Sequence, residues 1–272
     1  MNAPEYTRAD EPAVLVENRG HVAVITINRP EARNAVNSAV ADGLGEALEQ
    51  ADTDPEIRAI VLTGAGDKSF CAGADLKAIS RGESIDATDK TRRKWGFAGV
   101  VTHPISTPLI AAVNGTALGG GTELVLASDL AVAAERATFG LPEVRRGIIA
   151  AAGGAFRIVA ALPKKAGMEI LLTGRAVSAA HAADLGLVNR VVPDTDVVDA
   201  AIELAEEIAA NAPLAVQASK RLALGIVDGT VPAESDRWAA NKSEIRAVFS
   251  SRDAQEGPRA FAEKRAPAWR AE

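Results

Sequence analysis

The sequence predicts an α/β protein in which a strand-and-helix N-terminal part is followed by a helical C-terminal part. Three observations carry that reading. Short apolar runs rich in Val and Ile, at 13–18, 21–28, 57–66, 108–115 and 129–135, alternate with helix-type or polar segments, as buried strands do. Two of them close on glycine turns, "LTGAG" and "AVNG", where a strand commonly gives way to a loop. From about residue 163 the apolar spacing turns helical, which makes the C-terminal part an all-helical appendage to an α/β core.

In chain order, "AVLVEN" (13–18) and "HVAVITIN" (21–28), joined by Arg19-Gly20, predict a hairpin. "RPEARNAVN" follows as a loop, after which Asn37 or Ser38 is placed to cap a helix running to about Asp52. "IRAIVLTGAG" (57–66) reads as a buried strand, and the polar stretch 80–94 as a mobile loop or an exposed helix. "PLIAAVNG" (108–115) is a strand closed by Asn-Gly, a helix opens near Gly119–Gly121, and "DLAVAAE" (129–135) returns as a strand. "PKKAGMEILLTG" (163–174) is a helix ended by glycine. "DVVDAAIELAEEIAANAP" (196–213) sets Val197, Ala201, Leu204, Ala205 and Ile208 on one face, with Pro213 as its stop. The stretches 214–225 and 232–250 continue the helical pattern. No internal repeat of solenoid type is present.

Composition narrows the function classes. At 272 residues, 47% hydrophobic and 24% charged, the chain fits a soluble globular protein with one large domain or a domain plus appendage. No apolar run approaches a membrane span. The opening "MNAPEYTRADEP" lacks a secretion-signal pattern and reads as a flexible arm over residues 1–12. One cysteine, Cys71, excludes an internal disulfide framework and points to the cytoplasm. A net charge of −6 argues against nucleic acid as partner. His21, His103 and His181 form no metal-ligand spacing, so no metal is expected. "GAGDKS" (64–69) fails the phosphate-loop pattern because Asp67 precedes Lys68, and no G-x-G-x-x-G, G-x-S-x-G or H-E-x-x-H occurs. Cys71 has no histidine near it in sequence and reads as a small buried thiol.

The informative stretch is "AVNGTALGGGTELVLASDL" (112–130). Three glycines, poor helix residues, stand before Glu123, a lone carboxylate in an apolar run. Glycines that open a helix let another molecule approach the backbone, and the first helical N–H groups have no partner inside the helix. Such an end can hold a phosphate or a developing oxyanion. A second glycine turn, "CAGAD" (71–75), could supply a further amide, and a second carboxylate, Glu143, follows Pro142 in "FGLPEVRRGIIAAAGG" (139–154). Each feature also has a plain structural reading: a common strand-to-helix turn, and an acid favoured by the helix dipole.

Taken together, "NRPEARNAVN", "FCAGADLK", "AAVNGTALGGGTELVLASD", "FGLPEVRRGI", "LLTGRAVSAAHAADLGLVNRVV" and "EGPRAFAEKR" resemble the enoyl-CoA hydratase/isomerase, or crotonase, family. The six stretches occur in family order across nearly the whole chain. The resemblance implies a crotonase-type spiral of ββα units over residues 13–195 and a helical C-terminal trimerisation region over 196–272, giving a homotrimer or dimer of trimers. It implies an acyl-CoA thioester as substrate, with CoA part of that substrate and no separate cofactor. The backbone N–H groups of Ala74 and Gly120 are its oxyanion hole, and Glu123 and Glu143 its catalytic carboxylates, Glu123 as base and Glu143 as acid. Ala74, Asp75, Leu76, Lys77, Gly120 and Lys264 form the substrate- and CoA-binding set, and the two lysines also read as ordinary solvated side chains.

Both glutamates favour hydration of a 2-enoyl-CoA. A double-bond isomerase, another acyl-CoA dehydratase and a non-catalytic acyl-CoA-binding protein are the alternatives. The acyl group stays open, with 80–103, including Trp95 and Phe97, as the segment that covers it in relatives. One departure stands out: where hydratases of the family show proline and glycine after the second glutamate, this chain has "IIAAAGG", with Ala150 and Ala151. Arg145 and Arg146 are also unusual neighbours for that glutamate.

Overall fold

The computed structural model describes residues 11–272, so the arm expected over 1–12 lies outside the described residues except for its last two positions. β1 (Val14–Arg19) and β2 (Val22–Ile27) form the expected antiparallel hairpin, turning through Gly20 at φ 59°. α1 (Ser38–Thr53) starts at Asn37, whose side-chain oxygen accepts the Val40 N–H at 3.1 Å. Of the two expected caps, Asn37 is the one used, and it satisfies a donor that the first helical turn leaves free.

Three strand–strand–helix units follow. The first is β3 (Ala59–Gly64), β4 (Ser69–Cys71) and α2 (Leu76–Ser80). The second is β5 (Leu109–Val113), β6 (Thr116–Leu118) and α3 (Gly120–Ala127). The third is β7 (Leu130–Ala134) and β8 (Thr138–Gly140), then a 3-10 turn over Pro142–Arg146 and α4 (Gly154–Ala161). α5 (Lys164–Thr173), β9 (Val177–Ser178), α6 (Ala179–Asp184) and β10 (Arg190–Val192) complete this part. The C-terminal helices are α7 (Val197–Ala209), α8 (Pro213–Leu224), α9 (Ser235–Phe249) and α10 (Arg252–Ala262).

In each unit the long strand joins one sheet and the short strand another. The six-stranded sheet has the order β1-β2-β3-β5-β7-β10 and the four-stranded sheet β4-β6-β8-β9. β2, β3, β5, β7 and β10 run parallel, which explains the mainly apolar sequences of the four inner strands β2, β3, β5 and β7: both faces are covered. Along β3, Ile60 and Leu62 face the core shared with α1, while Val61 faces the other way. There Val61, with Val24, Ile110 and Val132, meets Val197, Ala201, Ile202 and Ala205 of α7.

The structure revises two details and chooses between the alternatives for a third. Pro213 does not stop α7, which already ends at Ala209. It opens α8 at the first helical position, where its missing N–H has no intrahelical bond to make. β9 and β10 lie in a stretch whose character reads as helical; at two and three residues they are too short to show alternation. The stretch 80–94 is mostly turn and bend, with a 3-10 turn over Arg92–Trp95.

What positions the site is the second sheet. β4, β6 and β8 are parallel neighbours, with Thr116 beside Thr138 and Leu118 beside Gly140. Their carboxyl ends therefore lie side by side, and the segments leaving them carry Ala74, Gly120 and Glu143.

Candidate active site

Each glycine of 119–121 is required for a different contact. Gly119 has φ 56° and ψ −123°, and a Cβ there would lie 2.7 Å from Oε1 of Glu143. At Gly120 a Cβ would enter the Phe97 ring at 2.5 Å and press on Gly73 Cα at 3.1 Å. At Gly121 it would sit 2.0 Å from the Cys71 carbonyl oxygen. The triplet lets α3 start against β4 and the Glu143 turn with no side chain between them.

The Ala74 amide is aimed by its neighbours. Val36 donates its N–H to the Gly73 carbonyl at 2.8 Å and accepts the Asp75 N–H at 2.9 Å. In this parallel bridge both bonds come from the residues flanking Ala74, so its own N–H faces away from Val36. Gly73, at φ 89°, lies against the first residue of α3: a Cβ on it would be 3.1 Å from the Gly120 nitrogen. Gly120 is the first residue of that helix, so its N–H is among those without an intrahelical acceptor. The structure thus brings the two expected amides together at one helix end.

Asp75 has a mainly structural role. Its Oδ1 accepts the N–H groups of Lys77 and Ala78 and its Oδ2 an N–H of Arg29 at 2.9 Å, so it caps α2 and fixes the turn after Ala74. Its carboxyl is held below the usual range: burial alone would raise it, but these donors and the Arg29 charge prevail. Leu76 and Lys77 are exposed on α2. Lys264 is exposed just past α10, on a left-handed residue with φ 54°.

Glu123 is 3% exposed, one turn into α3. Its Oε1 accepts the Gly154 N–H at 2.8 Å, and Gly154 lacks the Cβ that would strike the glutamate Cγ at 2.8 Å. Glu143 arrives from the third unit. Gly140 accepts the Gly119 N–H at 2.9 Å and donates its own N–H to Thr122 Oγ1 at 2.9 Å. This stitches the end of β8 to the start of α3, so the turn after Pro142 lies over Gly119. Glu143 is not the exposed loop residue that its sequence alone suggests; its Oε2 is buried and, among the described residues, without a hydrogen-bond partner.

Burial and then the neighbouring Glu143 charge push Glu123 up to about 8, against the pull of the Gly154 and Ala152 N–H groups and of the Arg157 charge. Burial pushes Glu143 up to about 7. The Glu143 charge beside Glu123 disfavours ionising both carboxyls at once.

Phe97, against Gly120, is at the site. Trp95 is not: it packs on Gly45 and stacks on His103, 4.0 Å between centroids. His103 in turn bonds Glu49 at 2.9 Å. The Cys71 thiol is fully buried, accepts the Gly73 N–H at 3.4 Å and is pushed up to about 12 by burial. That matches its reading as a structural thiol. Arg145 lies along Gly174 at the surface, and Arg146 stacks over Phe261 of α10 at 3.8 Å. Among the described residues no cluster of His, Cys, Asp or Glu is arranged to hold a metal ion, and no helix is long and apolar enough to cross a membrane.

Residues that the sequence reading missed surround the 150–157 segment. Asn241 of α9 donates Nδ2 to the Ala151 carbonyl at 2.8 Å, Trp238 covers Gly153, and Glu234 pairs with Arg157. Among α9's residues Asn241 is the buried one, and a buried polar side chain in an otherwise solvated helix gives no periodic signal.

A sequence model of the enoyl-CoA hydratase/isomerase family matches residues 17–272. An enoyl-CoA hydratase of Mycobacterium tuberculosis is 42% identical over 269 residues, covering 94% of this chain and 96% of that protein. A carnitinyl-CoA dehydratase of Salmonella typhi is 42% identical over 255 residues, covering 92% and 95%. The crystal structure of a carnitinyl-CoA hydratase from Mycobacterium avium superimposes with a TM-score of 0.94 at 60% identity, covering 96% of this chain and all of that one. The paired sheets and repeated ββα units are the crotonase fold, and the chain belongs to the enoyl-CoA hydratase/isomerase family.

Proposed function

We propose that the enzyme adds water across the double bond of a 2-enoyl-CoA and, in reverse, dehydrates a 3-hydroxyacyl-CoA. The observation that carries this reading is that buried Glu123 and half-buried Glu143 come together at the glycine start of α3, where the Gly120 N–H has no acceptor within the helix. In hydration, negative charge builds on the thioester oxygen. The N–H groups of Ala74 and Gly120 receive it without reorganising, and loss of one such donor costs about 3 kcal/mol of transition-state stabilisation. One carboxyl takes a proton from water as it attacks C3, and the other delivers a proton to C2.

Glu123 is assigned as the base, as the family resemblance implies, with its Oε1 fixed by the Gly154 N–H at 2.8 Å. Glu143 is the acid, its Oε2 free to turn toward the α-carbon. In dehydration the roles exchange. Acid, base and electrophilic amides all come from the chain, so this chemistry calls for neither metal nor redox cofactor. The relatives' names are compatible with it, since hydratase and dehydratase describe one equilibrium from its two sides.

Lys77 and Lys264 are assigned to the CoA phosphates, with Asp75 and Leu76 shaping the strap beside the thioester. Leu214 and Leu222 of α8, 78% and 84% exposed, suit burial between copies of the chain, supporting a homotrimer or a dimer of trimers through the C-terminal region. The lone cysteine fits a cytoplasmic setting. The test is Glu123→Gln and Glu143→Gln: each is expected to cut turnover of a 2-enoyl-CoA by at least about a hundredfold while the acyl-CoA still binds. Wild-type turnover in either variant removes that residue from the mechanism.

A further inference from the structure

α9 is the least amphipathic-looking of the long helices, yet two of its residues and the residue capping its start close on a single segment. Glu234, Trp238 and Asn241 recur at the i, i+4, i+7 spacing that aligns side chains along one helix face. Glu234, at the helix start, accepts Nε and Nη2 of Arg157 at 3.0 and 2.7 Å and the indole N–H of Trp238 at 3.0 Å. Trp238 meets Phe156 edge-on, 5.0 Å between centroids, and lies where a Cβ on Gly153 would be, 3.0 Å from Cη2. Asn241, 8% exposed, donates to the Ala151 carbonyl at 2.8 Å across ninety residues of sequence.

The segment so held, 151–157, passes Glu123. Its Gly154 N–H is the 2.8 Å donor to that carboxylate, flanked by the Gly153 and Ala151 contacts of α9. The stretch 148–154, "IIAAAGG", has no proline to stiffen it and two glycines to loosen it. Its conformation therefore has to be imposed from outside, and among the described residues α9 supplies three separate contacts that do so.

We infer that the Glu234–Trp238–Asn241 face of α9 is a positioning element for Glu123, holding the glycine turn whose N–H groups grip the carboxylate. This rests on the reading of Glu123 as the general base. None of the three residues needs to touch substrate; they act through the turn.

The two polar contacts act on Glu123 in opposite senses. Asn241 keeps N–H donors against the carboxylate, which favours its ionised form. Glu234 neutralises Arg157, whose positive charge also favours the ionised form of Glu123. Freeing Ala151 therefore makes Glu123 harder to ionise, and freeing Arg157 makes it easier. A face that merely added stability would not separate its parts in this way.

The test is the pH profile of kcat with crotonyl-CoA for the wild type, Asn241→Ala, Glu234→Gln and Glu123→Gln. In Asn241→Ala the acid limb is expected to move up by about one pH unit, so turnover below the limb drops about tenfold while KM stays within about twofold. In Glu234→Gln the limb moves down. Should that variant fail to fold because Arg157 is left buried and unpaired, Arg157→Gln/Glu234→Gln removes both charges. It is then expected to move the limb up, since the Arg157 field is gone. Limbs that stay at the wild-type position in these variants, or that move the same way in Asn241→Ala and Glu234→Gln, overturn the inference. If instead the wild type shows no hydration, or Glu123→Gln keeps the wild-type limb, it is the assignment of Glu123 as base that fails.

Discussion

Replacing Gly119 by alanine separates the position of Glu143 from the stability of the fold. Two costs can be worked from the structure. The backbone at Gly119 (φ 56°, ψ −123°) lies in a region that side chains avoid, at about 1–3 kcal/mol for a non-glycine residue. The new Cβ would stand 2.7 Å from Glu143 Oε1, where ordinary contact begins at 3.4 Å, so the carboxylate has to retreat by about 0.7 Å. A reacting group displaced by about 1 Å can lose about a hundredfold in rate. The expected result is a folded enzyme whose melting temperature falls by about 2–10 °C. Its kcat for a 2-enoyl-CoA falls tens-fold, by order of magnitude, with KM almost unchanged. The assay is the loss of conjugated-thioester absorbance, beside thermal unfolding of the same sample. Turnover within about twofold of wild type in a protein destabilised as expected would refute the argument that Gly119 keeps space for a catalytic carboxylate.

Three further outcomes follow from the same geometry. Gly121→Ala places its Cβ 2.0 Å from the Cys71 carbonyl oxygen, which no side-chain rotation can relieve, so expression should yield misfolded protein rather than a slow enzyme. Glu123 and Glu143 titrate above the ordinary 4.5, at about 8 and about 7, so the folded state binds more protons than the unfolded chain. Their contribution to stability is complete below about pH 4.5 and is lost as pH rises through about 7 to 8; thermal melts should show Glu123→Gln losing less stability than wild type over that window. Light scattering should give the mass of a trimer or its multiple, and a monomer at assay concentration would contradict assembly through α8.

Much of the architecture was legible because local and tertiary signals agree. β2, β3, β5 and β7 are mainly apolar since both sheet faces are buried, and α1 carries its own cap in Asn37. The glycine triplet and Glu123 stood out because each is costly unless another group needs the space. Glu143 was different. Alone within 139–154 it reads as a surface acid, and its standing as a second carboxylate beside the Glu123 stretch and the family resemblance single it out; its burial arises from Gly140 being tied to Gly119 and Thr122, a contact between separate units. The strands that make that contact are three residues long, too short for periodicity to reveal. Pro213 misled because a proline can end one helix or begin the next, and Asn211 and Ala212 leave room for the second. Asn241 was invisible for a related reason: its burial is set by a loop ninety residues away.

The most direct test of hydration is to add the purified protein to crotonyl-CoA in isotopically labelled water and follow the absorbance of the conjugated thioester, identifying the product by mass. The expected result is a falling absorbance, with a 3-hydroxybutyryl-CoA that carries one solvent oxygen at C3, formed by the wild type and suppressed in Glu143→Gln. Unchanged absorbance across straight, branched and bulky 2-enoyl-CoAs, together with migration of the double bond in a 3-enoyl-CoA without uptake of solvent oxygen, would contradict it and identify the pair as an isomerase's proton shuttle.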